Sequence, residues 1–198
     1  MVTGADPDVN KVRAINSGRS PIYEPDLQNL LARAVGDGSL RCVTETREAV
    51  LGSDATFVTV GTPRLSAGDI DLRFLKAAAT DIGRALRDKN GYHLVVVSST
   101  VTPGTTEHVV LPLVEKLSGK RLNRDLGFCA NPEFLREGSA IRDFFHPHLV
   151  VIGECDKKSG EVLASLYEDL IDKALIIRVN PATAEMIKYA NNAFLATK

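Results

Sequence analysis

The chain has 198 residues, of which 44% are hydrophobic and 25% are charged, and its formal net charge is -1 at pH 7. This size and composition indicate a globular protein, and the length suffices for one well-buried core and the start of a second domain. The near-neutral charge argues against a nucleic-acid-binding protein. The longest apolar runs are too short to cross a bilayer and no secretion signal is visible, so we expect a cytoplasmic protein.

Short apolar runs alternate along the chain with longer amphipathic stretches. The runs predicted as strands are residues 55–60, 93–98, 126–130, 149–153 and 174–179. They are continuous rather than alternating, which is typical of strands buried on both faces of a parallel sheet. The stretches predicted as helices are residues 27–35, 72–87 and 105–117, and Pro112 should kink or break the last one. This order predicts an α/β fold with a doubly wound parallel sheet.

Polar or conformationally special residues follow several of the predicted strands. Asp6 follows "MVTGA", Thr62 and Pro63 follow "FVTV", and Thr100 opens the turn after "LVVVS". The octet "NPEFLREG" (131–138) follows "GFCA". Ligands of doubly wound sheets bind beyond the carboxyl ends of the strands. An acid after a strand is often a helix cap and Thr-Pro is often a turn, but together these residues favour a cleft for a polar ligand.

Asp6 has two interpretations. An acid that ends the second strand of a dinucleotide-binding fold accepts hydrogen bonds from the adenosine ribose and disfavours a 2′-phosphate. The Gly-rich turn of such a fold precedes that acid by roughly 20 residues, and no GxGxxG occurs in this sequence. Either the first strand and its turn are missing from this chain, or Asp6 only caps a helix that begins near Asp8.

Five collinear segments carry a resemblance to a known family. They are "GADPDVNKVRAINSGRSPIYEPDL" (4–27), "VGTP" (60–63), "SSTVTPGTT" (98–106), "NPEFLREGSAIRDF" (131–144) and "AEMIKYANNAFLATK" (184–198). The chain resembles the N-terminal half of the UDP-glucose/GDP-mannose dehydrogenase family, which oxidises a sugar C6 alcohol to a carboxylate in two NAD-dependent steps. Two features of the family do not occur in these residues: the GxGYVG turn and the later segment that carries the cysteine nucleophile.

The resemblance implies that the octet is a site rather than a solvated turn. It makes Glu133 a residue that acts on water or protons, and it places Glu137 near the nicotinamide. Hydrolysis of a thioester needs a base for water, and release of hydride from an alcohol needs a proton acceptor. The segment expected to line the sugar-nucleotide pocket consists of Glu133, Phe134, Leu135 and Arg136.

Lys188 and Asn192 lie four residues apart on a helix predicted to start near Pro181, so they share a face. Most such residues are simply exposed, but the apolar residues around this pair favour a functional role. The resemblance implies that Lys188 stabilises an oxyanion and that Asn192 holds the substrate or a water. It places Thr100 beside the cofactor and the catalytic water, although Thr100 could equally serve to open the loop before Pro103.

The cofactor implied by the resemblance is NAD. The residues expected to contact it are Asp6, Lys11, Thr62, Pro63, Thr100 and Glu137. No metal site is predicted, because no cysteine or carboxylate pattern completes a ligand set with His146 and His148. Cys129 is interpreted as a buried, small apolar residue rather than a nucleophile.

Together these features predict a Rossmann-like NAD-binding domain over residues 1–179, without its first strand and Gly-rich turn. The start of a long central helix, through which a homodimer would form, should follow at residues 180–198. The expected substrate is UDP-glucose, with GDP-mannose next, and these residues alone should be inactive. Two alternatives stay open: a single-oxidation hydroxyacid dehydrogenase, and a non-catalytic binding or assembly module.

Overall fold

The computed structural model describes residues 1–66, 68–171 and 174–198. In chain order the strands are β1 (Val2–Ala5), β2 (Leu40–Val43), β3 (Ala55–Val58), β4 (His93–Val97), β5 (Leu126–Ala130), β6 (Leu149–Glu154) and β7 (Leu175–Val179). The helices are α1 (Val9–Asn16), α2 (Leu27–Gly36), α3 (Thr46–Leu51), α4 (Arg73–Arg87), α5 (Leu111–Ser118), α6 (Ala140–Phe145), α7 (Lys157–Leu170) and α8 (Pro181–Thr197). Within these ranges, no helix combines the length and the apolarity needed to cross a membrane.

The strands form two sheets. Strand β1 pairs in parallel with β2, and the five strands β3 to β7 are hydrogen-bonded to one another in chain order. In the part of the chain that the structure describes, no ladder joins β1 to β3. In the Rossmann order 3-2-1-4-5-6, β2 and β1 correspond to strands 3 and 2, and β3, β4 and β5 correspond to strands 4, 5 and 6. In that correspondence, the position of strand 1 lies between β1 and β3. The predicted α/β fold with a doubly wound parallel sheet is confirmed, apart from one antiparallel pair of strands.

One pair of neighbouring strands runs antiparallel. Cys129 of β5 lies opposite Glu154 of β6, and Ala130 lies opposite Gly153. The connection between these strands, residues 131–148, contains the 6-residue helix α6. Because the last residues of β6 pair with the last residues of β5, β6 begins beyond the carboxyl end of β5 and runs toward it. The octet directly follows β5 and therefore lies at the carboxyl end of that strand.

The core lies on both faces of β4 and β5, whose residues are all buried. Leu75, Leu86 and Val114, from α4 and α5, pack on one face. Leu163 of α7 belongs to the cluster on the other face. Burial on both sides explains why the strands read as continuous apolar runs. The predicted strands agree with the observed bounds to within two residues.

The predicted interruption at Pro112 is present. Residues Thr106–Val110 form a π-helical turn, and α5 begins directly after it with Pro112 in its first turn. Pro112 has no N–H, and its ring clashes with the carbonyl four residues earlier in a regular α-helix. The wider π-helical turn removes this conflict, so the segment divides where the sequence indicated.

Candidate active site

A lysine and a carboxylate from distant parts of the chain meet at the carboxyl end of β5. The Lys188 side chain on α8 is only 8% exposed, and its Nζ donates a hydrogen bond to Oε1 of Glu133 at 2.9 Å. The Glu133 side chain is 45% exposed. Its Oε2 accepts the backbone N–H of Leu135 at 2.5 Å. The structure thus joins two predicted site residues in a pair that has one buried member and one member open to solvent.

The octet is anchored to the sheet through its first residue. Asn131 is buried, and its Nδ2 donates to the carbonyl of Val151 at 2.9 Å. Its Oδ1 accepts the hydroxyl of Tyr167 at 2.6 Å. Both groups of the amide are therefore used. Because Glu133 follows two residues later, these bonds restrict where its carboxylate can lie.

Helix α8 approaches the sheet closely enough to bring Lys188 to this edge. A Cβ added to Gly153 of β6 would lie 2.7 Å from both the Pro181 Cα and the Ala184 Cβ. Only glycine permits this approach of helix and strand. The Lys188 Nζ also lies 5.5 Å from the centroid of the Phe134 ring, within the range of a cation–π contact. Phe134 therefore belongs to the same cluster as Lys188 and Glu133.

The loops after β3 and β4 are tied to each other at the same edge. The Thr62 hydroxyl donates to the carbonyl of Thr100 at 2.6 Å. The Ser99 hydroxyl donates to the carbonyl of Val60 at 2.6 Å. Thr62 and Thr100, both predicted to contact NAD, are thereby brought together. Pro63 lies next to Thr62 and is exposed.

Asp6 lies at the end of β1 and forms an exposed pair with a second predicted residue. Its Oδ2 lies 3.3 Å from the Nζ of Lys11, and the two side chains are 37% and 51% exposed. Its Oδ1 accepts the N–H of Asp8 at 2.9 Å. The cap of α1 is Asp8, whose carboxylate accepts the N–H groups of Asn10 and Lys11. Asp6 is therefore not the helix cap, and its carboxylate retains acceptor capacity.

Other predicted residues lie outside these contacts. The Arg136 guanidinium donates to both carboxylate oxygens of Asp143, at 2.9 and 2.7 Å. These hydrogen bonds hold the pKa of Asp143 well below its usual range. Arg136 is thus engaged within its own segment. Leu135, Glu137 and Asn192 are exposed. Of the predicted substrate set, Leu135 reaches the Lys188–Glu133 pair only through its backbone N–H.

Glu24 holds the far end of the octet, a contact that the sequence did not reveal. Its carboxylate accepts the N–H of Gly138 at 2.8 Å and the N–H of Ala140 at 2.9 Å. Glu24 belongs to the segment of residues 4–27 that carries the family resemblance. The resemblance assigned no role to this acid. The only signal in the sequence was its place in that segment.

Cys129 has the environment of an apolar residue. It is fully buried in β5, and this burial raises the pKa of its thiol far above the ordinary value. A thiol in such surroundings stays protonated at neutral pH and is a poor nucleophile. This agrees with its interpretation as a core residue.

Comparisons with known proteins give a consistent result. Residues 1–171 match the profile of the UDP-glucose/GDP-mannose dehydrogenase family, NAD binding domain. The chain is 48% identical over 197 residues to the GDP-mannose 6-dehydrogenase of Pseudomonas syringae pv. tomato, covering 100% of this chain and 44% of that protein. It is 44% identical over 200 residues to the UDP-glucose 6-dehydrogenase AglM of Haloferax volcanii, covering 100% of this chain and 46% of that protein.

Solved structures show the same relationship. A ternary complex of GDP-mannose dehydrogenase from Pseudomonas aeruginosa has a TM-score of 0.95 and 46% identity, over 99% of this chain and 44% of that chain. A UDP-glucose dehydrogenase from Pyrobaculum islandicum has a TM-score of 0.92 and 44% identity, over 98% of this chain and 44% of that chain. The chain thus spans less than half the length of these relatives. It belongs to the UDP-glucose/GDP-mannose dehydrogenase family, whose NAD-binding domain its residues 1–171 match.

Proposed function

We propose that these residues form the cofactor-binding part of an enzyme that oxidises the C6 alcohol of a nucleotide sugar to a carboxylate. The observation that carries this proposal is the pairing of buried Lys188 with Glu133, at 2.9 Å, at the carboxyl end of β5. Family membership and the names of the relatives support the reaction class. When bound, NAD supplies the acceptor for the hydride.

Lys188 is proposed to stabilise negative charge on a substrate oxygen. Its ammonium group has three N–H donors, and among the residues that the structure describes it donates one hydrogen bond, to Glu133. The remaining donors are available to an oxyanion. Since the Lys188 side chain is almost fully shielded from water, its charge acts through a medium of lower dielectric than bulk solvent. Asn192, one turn further along α8, is proposed to hold the substrate or a water.

Glu133 is proposed to act as the base. Each carboxylate oxygen has two lone pairs. Within the described ranges of the chain, each oxygen accepts one hydrogen bond, Oε1 from Lys188 and Oε2 from the Leu135 N–H. Two acceptor sites are therefore left for water or a substrate hydroxyl. The partial exposure of this side chain gives the transferred proton a route to solvent.

The cofactor is proposed to lie along the carboxyl ends of β1, β3 and β4. Asp6 and Lys11 would hold the adenosine ribose, and Asp6 would repel the 2′-phosphate of NADP. The hydrogen-bonded loops of Thr62 and Thr100, together with Pro63 and Glu137, would lie toward the nicotinamide. This placement follows the rule that ligands bind at strand ends in doubly wound sheets.

The domain boundary and the assembly are also proposals. We infer that the cofactor domain comprises residues 1–179 and that residues 180–198 begin a central helix, through which a homodimer forms in the cytoplasm. Three large apolar side chains of α8 support this inference: Met186 is 53% exposed, Phe194 65% and Leu195 56%. Apolar side chains exposed along one helix are typical of surfaces that another subunit covers.

The reaction can be tested in a reconstituted enzyme, in which this chain replaces the matching 44% of the Pseudomonas aeruginosa GDP-mannose dehydrogenase. NADH formation is measured with UDP-glucose and with GDP-mannose. Two equivalents of NADH per sugar support the proposal. One equivalent would favour a single-oxidation dehydrogenase, and none would favour a non-catalytic module. The 198 residues alone are expected to be inactive, since they contain no GxGxxG turn.

A further inference from the structure

Glu185 is a buried acid of α8 to which neither the motifs nor the reaction assigned a role. Its side chain is 4% exposed, and it lies three residues before Lys188 in an otherwise largely apolar helix. A carboxylate this deeply buried is unfavourable unless hydrogen bonds satisfy it. The hydrogen-bond donors around Glu185 therefore indicate its structural role.

The three hydrogen bonds that Glu185 accepts from described residues come from the turn that follows β4. Its Oε2 accepts the N–H of Gly104 at 2.5 Å. Its Oε1 accepts both the N–H of Thr106, at 2.9 Å, and the Thr106 hydroxyl, at 2.6 Å. The backbone groups belong to the start of the π-helical turn, where N–H groups have no partner within the helix. Glu185 thus caps a segment about 80 residues away in sequence.

This cap connects two segments that carry proposed active-site residues. The turn held by Glu185 continues the loop of Thr100, whose carbonyl accepts the Thr62 hydroxyl at 2.6 Å. One helical turn after Glu185, Lys188 reaches Glu133 at 2.9 Å. A helix residue and the residue three positions later lie on neighbouring parts of one face. The same face of α8 therefore contacts both the β4 loop and the octet.

Local structure in the turn does not replace this contact. Thr102 and Thr105 bond to each other, with the Thr105 hydroxyl donating to the Thr102 carbonyl at 2.6 Å. Those bonds leave the N–H groups of Gly104 and Thr106 to Glu185. Gly104 has φ of +90°, a conformation that side chains rarely adopt, so the turn presents its N–H groups in a defined direction.

We propose that Glu185 is a positioning residue, whose carboxylate fixes the loop of Thr100 to the helix of Lys188. The proposal rests on the function proposed above, because it gives Thr100 and Lys188 their importance. Without Glu185, each segment would still be held to the sheet by its own contacts. The separation between them would no longer be fixed, and the cofactor side of the site would move relative to the substrate side.

The test compares hydrogen exchange in the isotope-labelled chain and in the variants Glu185→Ala and Glu185→Gln. We expect the amides of Gly104 and Thr106 to exchange at least about tenfold faster in Glu185→Ala, because local opening there would cost less free energy. Glu185→Gln keeps one acceptor oxygen and should recover part of the protection. The matched control is Glu161→Gln on α7, an exposed acid, which should leave both amides unchanged.

The exchange rates of amides in the core distinguish a positioning role of Glu185 from a general contribution to the stability of the fold. If those of Val95 and Phe128, both fully buried, accelerate by the same factor as Gly104 and Thr106, Glu185 only stabilises the fold and the proposal is overturned. Unchanged exchange at Gly104 and Thr106 overturns it as well. If Glu185→Ala does not fold, a pH titration of the unmodified chain decides. If the amide proton chemical shifts of Gly104 and Thr106 change with pH at one common midpoint, the contact of both amides with Glu185 is supported. If these chemical shifts do not depend on pH, the proposal is overturned.

Neither measurement depends on turnover, so failure of the proposed function would not alter their outcome. In the reconstituted enzyme, Glu185→Gln should lower kcat several-fold and leave the KM for the sugar nucleotide unchanged. If the turn loosens in Glu185→Gln while kcat is unaffected, the positioning role is wrong although the proposed reaction stands.

Discussion

Two lysine–carboxylate pairs lie at the carboxyl ends of the strands, and they differ chiefly in burial. Lys188 and Glu133 are 2.9 Å apart, and the lysine side chain is 8% exposed. Lys11 and Asp6 are 3.3 Å apart, with side chains that are 51% and 37% exposed. The first pair joins α8 to the octet, whereas the second joins residues five apart in sequence. Similar chemistry is thus placed in two different dielectric environments.

We infer that this difference in burial separates a proposed site for chemistry from a proposed site for cofactor recognition. At 4 Å, two unit charges interact by about 1 kcal/mol in water and about 4 kcal/mol at the effective dielectric near a protein surface. Exposed pairs contribute only about 0–1 kcal/mol, so a ribose hydroxyl can replace Lys11 at Asp6 at little cost. The Lys188 charge cannot be solvated in this way. In the proposed function, this charge acts on a substrate oxygen that becomes negative.

The largest expected effect comes from removing the buried lysine. In the reconstituted enzyme, Lys188→Ala should lower kcat by about 10²–10³-fold, the usual loss when one oxyanion donor is removed. The KM for NAD should change little. The matched control is Lys11→Ala, which should leave kcat within about twofold. Steady-state NADH formation measures both variants, and equal losses of kcat would remove the distinction between the pairs.

Burial should also determine the protonation state of a histidine that lies away from the proposed active site. His93 is fully buried, and burial, aided by the positive charges of Lys89 and Lys120, lowers its pKa to about 4. Between its unfolded value near 6.5 and this folded value, the unfolded chain binds the proton more readily. Stability should therefore fall by about 2–3 kcal/mol as the pH drops through this window.

Denaturant unfolding at a series of pH values measures this effect. His93→Leu should remove the slope contributed by His93, whatever its effect at neutral pH. The control, His146→Leu at an exposed position, should retain the slope. If the slope persists in His93→Leu, burial is not what sets the charge of this histidine.

Asp6 tests the recognition side of the comparison. Asp6→Ala in the reconstituted enzyme should raise the KM for NAD about tenfold, as expected for loss of a hydrogen-bonding charged group. It should also narrow the preference for NAD over NADP, because no carboxylate then repels the 2′-phosphate. The value of kcat should stay the same. Asp169→Ala, at an exposed position on α7, serves as the control, and unchanged cofactor kinetics in Asp6→Ala would exclude Asp6 from the site.

The smallest effect is expected at Glu137, which is exposed. Glu137→Gln should raise the KM for NAD only a few-fold, as for a weak, solvent-screened contact of about 0.5–1 kcal/mol. It should not change kcat. A large drop in kcat would place Glu137 in the chemical step and would contradict the division of roles within the octet.

The sequence predicted the elements with strong patterns and missed several others, including the 14-residue helix α7. Strands β3 to β7 and helices α2, α4 and α8 were predictable because long apolar runs or helical spacing mark them. Strand β2, with 4 residues, and helix α3, with 6, were not predicted, since elements this short have little periodicity. The antiparallel direction of β6 relative to β5 was not predicted, because an apolar run marks a strand but not its direction.

The site was predicted through motifs, and its supporting contacts were not. Glu133 and Lys188 lie in quoted motifs, but Glu24 reaches Gly138 across 114 positions and Glu185 reaches Gly104 across 81. Such pairs depend on the path of the chain in three dimensions, and nothing in the local sequence indicates them. The hydrogen bond from the Arg136 guanidinium to Asp143 likewise depends on how the loop folds, and the sequence did not predict it.

The base role of Glu133 is tested most directly by Glu133→Gln in the reconstituted enzyme. This change keeps the side-chain shape and one acceptor oxygen but removes the base. By resemblance, a cysteine supplied by the relative's segment forms a thioester that water must hydrolyse. The first oxidation should therefore survive better than hydrolysis, and intact-protein mass spectrometry with substrate and NAD should show a covalent adduct. Normal turnover of Glu133→Gln without an adduct would contradict this role and make the octet a structural turn.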